Sequence, residues 1–153
     1  MWSQDFKEFV GLLNARRVEY LIVGGYAVGV HGHPRYTGDL DVWINATTDN
    51  AAKIVEILEE FGFGEFKLKQ EDFTQLGRVL QLGQPPFRID ILTAIDGVEF
   101  ADCFARRLTV EYEGQPVFFI GLEDLKINKK AAGRLKDQDD LLNLGPEQLN
   151  RNS

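Results

Sequence analysis

Apolar residues along this chain recur with two different periods, and the alternation between them outlines a succession of helices and strands. Over residues 3–16, Phe6, Phe9, Val10 and Leu13 return every three or four positions, which predicts an amphipathic helix capped by Ser3. Val18 to Val23 reads as the first strand, and its apolar end, Leu21 to Val23, runs straight into Gly24 and Gly25. Tyr26 to Val30 has helical spacing but is short; Gly32 and Pro34 end it and open a loop carrying Arg35, Tyr36 and Thr37. Asp41 to Ile44 is the second strand. A helix over residues 50–61, with caps available in Asn45 to Asp49, turns Ile54, Val55, Leu58 and Phe61 to one side and stops at Gly62. Phe63 to Gln70 has no clear period and reads as a loop.

Beyond it, Gly77 to Leu82 is extended, a turn spans Gly83 to Pro86, and Phe87 to Leu92 alternates so that Phe87, Ile89 and Ile91 oppose Arg88, Asp90 and Leu92. If these two segments form a hairpin, Asp90 can lie beside the strand bearing Asp41. Glu99 to Phe104 reads as a short helix, and Arg107 to Glu111 with Val117 to Ile120 as strands around a turn at Glu113 and Gly114. Two helices follow, Leu122 to Gly133 and Asp137 to Leu144, before Gly145 and Pro146. Strands interleaved with helices make this an α+β (α/β) chain. The expected organisation is one domain over residues 1–153 with a helical C-terminal part at about 122–146.

Composition narrows the class. The chain is 44% hydrophobic and 27% charged, which is the make-up of a folded domain and not of a disordered one. A single cysteine, Cys103, excludes an internal disulfide framework and a cysteine metal cluster, and suits a reducing cytoplasm. The segment MWSQDFKEF lacks the basic-then-apolar order of a secretory signal, and no run reaches membrane-spanning length, so no membrane partner is expected. A formal charge of −7 argues against non-specific DNA or RNA coating. The basic residues concentrate locally between Lys126 and Lys136.

The candidate chemistry lies in two places. Asp39 and Asp41 flank Leu40, and in a strand positions two apart share a face, so their carboxylates stand side by side. Such like charges repel, and a divalent cation relieves them most simply; magnesium suits hard oxygen donors, whereas His31 and His33 lack a zinc spacing. Asp90, alone inside an apolar strand, needs either a partner or a metal. Asp39, Asp41 and Asp90 are therefore the candidate catalytic and metal-binding trio. Gly24 and Gly25 would let backbone N–H groups meet phosphate oxygens, with Arg35, Thr37, Lys129 and Arg134 as further nucleotide contacts. Plainer readings stand beside these. Asp39 caps a turn and Asp41 meets an arginine; Arg88 neutralises Asp90 from the same face; the glycines only permit a tight turn. Lys129 and Arg134 form a solvated face, Lys136 with Asp137 and Asp140 braces the last helix, and His31 bonds backbone near Gly24 or Arg35.

The stretch GGYAVGVHGHPRYTGDLDVWI followed by RIDIL resembles the nucleotidyltransferase superfamily that includes DNA polymerase beta, over roughly residues 18 to 144. Within it, the GG, HG, R, T, D, D arrangement is similar to small bacterial minimal nucleotidyltransferases and to nucleotidyltransferase toxins of abortive-infection systems. NKKAAGRLKDQDDLLNL resembles the helical end of that group. Many members carry a serine after the first glycine; here Gly25 and Tyr26 follow. The resemblance implies a small, mixed, twisted β-sheet flanked by helices. It also implies Mg2+-dependent transfer of a nucleoside monophosphate from a nucleoside triphosphate such as ATP to a hydroxyl, releasing pyrophosphate. Asp39 and Asp41 would hold the metal and Asp90 would complete the site. The acceptor would be a small molecule, an RNA end or a protein side chain. The alternatives are a component of a toxin-antitoxin pair with a partner protein, and a degenerate member of the fold that has lost catalysis.

Overall fold

The computed structural model describes residues 3–34, 37–84, 86 and 88–145, so Arg35, Tyr36 and Phe87 lie outside the described residues. Helix α1 (Gln4–Ala15) forms as its period predicts: the Ser3 side chain accepts from the Phe6 N–H, and Phe6, Phe9, Val10 and Leu13 are buried. Val18 is not yet strand, because its N–H is bonded to Leu13 O at 2.9 Å and finishes the turn out of α1. Strand β1 (Tyr20–Val23) is buried at all four positions. Helix α2 (Gly24–Val30) begins at the first glycine of the pair, two residues before the sequence pattern places it. Strand β2 (Asp39–Ile44) likewise starts two residues early, which brings Asp39 into the ladder.

Helix α3 (Thr48–Leu58) is capped by the Thr47 hydroxyl and buries Ile54, Ile57 and Leu58. It passes into a π-turn at Glu59–Phe63, and 3₁₀ turns at Gly64–Phe66 and Gln70–Phe73 occupy ground on and beyond the expected loop. Strands β3 (Val79–Leu82) and β4 (Arg88–Leu92), helix α4 (Phe100–Ala105), strands β5 (Leu108–Tyr112) and β6 (Gln115–Phe119), and helices α5 (Leu122–Ala132) and α6 (Leu135–Asn143) complete the chain. Among the described residues no helix is long and apolar enough to cross a membrane.

The six strands form one mixed sheet in the order β3-β4-β2-β1-β6-β5. β1 runs antiparallel to β2 and parallel to β6, while β2 and β4 are parallel. Because paired residues point to the same side, Asp39, Asp41 and Trp43 of β2 share a face with Arg88, Asp90 and Leu92 of β4. Helix α4 covers the far end of that face, where Trp43 meets Phe100 at a ring separation of 5.1 Å and nearly perpendicular. The opposite face, with Leu40, Val42, Ile89 and Ile91, belongs to the apolar core with α1, α2 and α3.

Helices α5 and α6 are held together by charge. Gly133 ends α5 in the left-handed conformation, φ +66°, and the chain turns directly into α6. The Lys129 ammonium lies 3.1 Å from Asp137 and 3.0 Å from Asp140, with all three side chains at most 5% exposed. Helix α6 therefore turns carboxylates inward, while Leu135 and Leu142 face solvent at 83% and 81% exposure. Burial opposes ionisation of Asp137, but its hydrogen bonds to Arg134 and Lys129 and their charges outweigh that and hold its carboxyl below the ordinary range.

Lys129 is the cation that two members of this buried group share. Lys129→Ala is expected to lower stability by about 3–5 kcal/mol, because two buried carboxylates lose their shared cation. Urea unfolding at pH 7 measures it; a loss below about 1 kcal/mol would show that the cluster does not hold the elbow.

Candidate active site

The two glycines do more than permit a bend. Gly24 has φ +70°, and a Cβ placed on it would lie 2.1 Å from Asp41 Oδ2. The Asp41 carboxylate is thus seated against the β1–α2 turn itself, in space that any side chain at position 24 would fill. A Cβ on Gly25 would meet Thr37 at 2.9 Å. Thr37 in turn donates from its hydroxyl to Asp39 O at 3.3 Å, so it fixes the entry into β2 from beside the turn.

The third carboxylate arrives through the sheet. Asp90 is the direct partner of Asp41 in the parallel β2–β4 register, which brings the FRIDIL aspartate beside the DLD pair. Between them lies Arg88. Its Nε donates to Asp90 Oδ1 at 3.0 Å, and one terminal nitrogen donates to Asp90 Oδ2 at 3.1 Å and to Asp39 Oδ2 at 2.7 Å. Asp90 is 7% exposed, so this pairing satisfies a carboxylate that water scarcely reaches. Arg88 therefore bonds two of the three acids, where residue spacing alone pairs it only with Asp90.

Asp41 has no bonded cation among the described residues. Burial, followed by the charges of Asp90 and Asp39, pushes its carboxyl up to about 7, and only Lys136 pulls the other way. Lys136 thus stands within electrostatic reach of the site from the start of α6. So does Arg134, whose guanidinium feels Asp96 and Asp41 while its Nε holds Asp137 at 2.7 Å. Lys129, by contrast, is enclosed between Asp137 and Asp140, away from solvent. Of these three cations Lys129 is an internal brace, Arg134 both holds Asp137 and feels Asp41, and Lys136 stands on the site side. Sequence reasoning gave Lys136 only a bracing role. Spacing alone does not separate Lys136 from the brace, since it lies one turn before Asp140; the packing that buries Asp137 and Asp140 leaves Lys136 exposed.

His31 does fix backbone, but at another place: its Nε2–H donates to Ile120 O at 2.7 Å, joining α2 to the end of β6 instead of to Gly24 or the Arg35 loop. Arg35 itself lies outside the described residues. A cavity of about 310 Å3 lies between α2 and the β5–β6 hairpin, lined in part by Gly25, Tyr26, Tyr112 and Phe119. By strand register its β5 and β6 walls belong to the face opposite the carboxylates.

Among the described residues no three or more His, Cys, Asp or Glu side chains converge as a metal cage. Magnesium does not require one, since it is commonly held by one or two carboxylates together with substrate phosphates. Asp39 keeps one oxygen clear of Arg88, Asp41 has no bonded cation among the described residues, and both are hard donors on one face. That donor pair fits the ion.

The raised Asp41 value gives a definite pH dependence. An unfolded aspartate loses its proton near 4, whereas folded Asp41 keeps it to about 7, so across that window the native state binds more protons. Stability from this group must fall as pH rises from about 4 to about 7. In the presence of EDTA, Asp41→Asn should gain on the wild type in melting temperature between pH 5 and pH 8. Parallel curves for the two proteins would show that Asp41 ionises normally. Gly24→Ala is expected to destabilise the fold by more than about 1 kcal/mol through its left-handed backbone alone, with displacement of Asp41 added; thermal melts check it.

This geometry can be set beside known proteins. Lincosamide antibiotic adenylyltransferase LnuA, solved with lincomycin bound, superposes with a TM-score of 0.57 at 14% identity, covering 94% of this chain and 96% of that one. The antibiotic-resistance factor ANT(2'')-Ia gives 0.57 at 14% identity, covering 92% and 80%. An antigenic nucleotidyltransferase-like protein from Paracoccidioides brasiliensis gives 0.51 at 20% identity, covering 93% and 76%. At such identities the likeness establishes the fold alone. No curated protein matches the sequence. The family model described as "Nucleotidyltransferase of unknown function (DUF6036)" matches residues 4–145, nearly the whole chain, and the protein belongs to that family.

Proposed function

We propose that the protein is a magnesium-dependent nucleotidyltransferase that moves a nucleoside monophosphate from a nucleoside triphosphate to an acceptor hydroxyl. The observation that carries this reading is the in-register placement of Asp90 beside Asp41, with the Asp41 carboxylate seated against Gly24. In the reaction the acceptor oxygen bonds to the α-phosphorus, the bond from that phosphorus to the bridging oxygen breaks, and pyrophosphate leaves.

Bound at Asp39 and Asp41, magnesium would offset phosphate charge and orient the triphosphate. The chain's own groups do the rest. Gly24 and Gly25 keep the β1–α2 turn free of side chains, so phosphate oxygens can come close to backbone N–H groups. Lys136 at the start of α6 and Arg134 at its N-cap lie within electrostatic reach of Asp41 and supply positive charge to the phosphates. Arg35 is a further phosphate contact in this reading, and Thr37 acts by fixing the start of β2. Asp90 stands on the acceptor side, where it receives the hydroxyl proton.

LnuA and ANT(2'')-Ia are named for antibiotic adenylylation and antibiotic resistance, and this chain spans 96% of the former's length. A small-molecule hydroxyl and ATP are therefore the first acceptor and donor to test. The experiment incubates each α-labelled nucleoside triphosphate with magnesium, protein and a small-molecule extract. Label should pass to an extract component with the wild type and fall to background with the Asp39→Ala, Asp41→Ala double variant. Equal labelling by both proteins would overturn the mechanism.

A further inference from the structure

A two-ion transfer site needs its third carboxylate free to hold the second ion. Here that carboxylate is already engaged. Both oxygens of Asp90 face the fork of one guanidinium, at 3.0 and 3.1 Å, and the same guanidinium reaches Asp39 Oδ2 at 2.7 Å. This is the bidentate geometry in which an arginine pairs most strongly with a carboxylate. Arg88 and Asp90 are two residues apart on β4, so they share a face by the pleat, and the β2–β4 register sets Asp39 directly opposite Arg88. The contact is therefore built into the sheet and not into a movable loop.

Resting on the transferase reading above, we infer that Arg88 stands in the place of the second cation: the loaded site holds one divalent ion, at Asp39 and Asp41, and a fixed guanidinium supplies the positive charge at Asp90. A second ion between Asp41 and Asp90 would have to displace Arg88 from both Asp90 oxygens or sit against its charge. Neither of the other two acids is closed in this way. Asp39 gives Arg88 only one oxygen, and Asp41 gives it none. Arg88 is thus a positioning residue: it orients Asp90 and sets the number of ions, without touching the transferred group.

The test counts ions and does not depend on turnover. The full chain is dialysed to equilibrium against manganese and an equimolar mixture of the α,β-methylene analogues of the four ribonucleoside triphosphates, and bound manganese per chain is measured. One ion per chain is expected for the wild type and for Arg88→Lys, which keeps the charge, and two for Arg88→Gln. Two ions on the wild type would overturn the inference while leaving the transferase reading intact. One ion on a folded Arg88→Gln, checked by circular dichroism, would also overturn it. Should Arg88→Gln not fold, the wild-type count decides alone. No manganese on the wild type would overturn the transferase reading, and this inference with it.

Discussion

Like charges brought together on neighbouring strands must be offset before those strands can pair, and at the centre of this sheet the Arg88 guanidinium does much of that. Two carboxylates about 4 Å apart repel by about 4 kcal/mol at the effective dielectric of a protein surface. The β2–β4 register gathers Asp39, Asp41 and Asp90 on one face, where repulsion of this kind acts. Arg88 bonds two of the three; Asp41, raised first by burial and then by the charges of Asp90 and Asp39, holds its proton to about 7. The cluster of acids is in this sense kept foldable by one internal cation and one retained proton.

The C-terminal helices solve a related problem in the opposite way. Lys129, Asp137 and Asp140 are buried together so that the α5–α6 elbow has one geometry. Such a group is expensive to desolvate and adds little stability over an apolar core of the same shape. What it fixes here is direction: with Asp137 and Asp140 inward, Arg134 and Lys136 stand within reach of Asp41. The brace and the site are coupled through adjacent residues on one helix.

The solved relatives share this architecture at identities of 14% to 20%. A fold persists at that level when backbone pairing and burial are kept while side chains change. Family membership therefore speaks for the framework, while the contacts of Arg88 with Asp39 and Asp90 are read from this chain's own side chains.

Much of this was legible in the residues. Helical periods marked α1 and α3, the glycine pair marked the turn, and DLD and FRIDIL marked two strands with carboxylates on one face, because period and pleat are local properties of the chain. Local pattern was weaker at boundaries: α2 and β2 each begin two residues earlier than the pattern suggested, since ladder and turn hydrogen bonds extend elements past their apolar positions. Which strands became neighbours, and so whether Asp90 met Asp41, was decided by a parallel β2–β4 pairing between segments some fifty residues apart. The partner of His31 and the second bond of Arg88 were settled the same way, and the burial of Lys129 by the packing of α6 on α5. A side chain's chemistry can be read from the sequence, but its counter-charge is chosen by packing that joins distant parts of the chain.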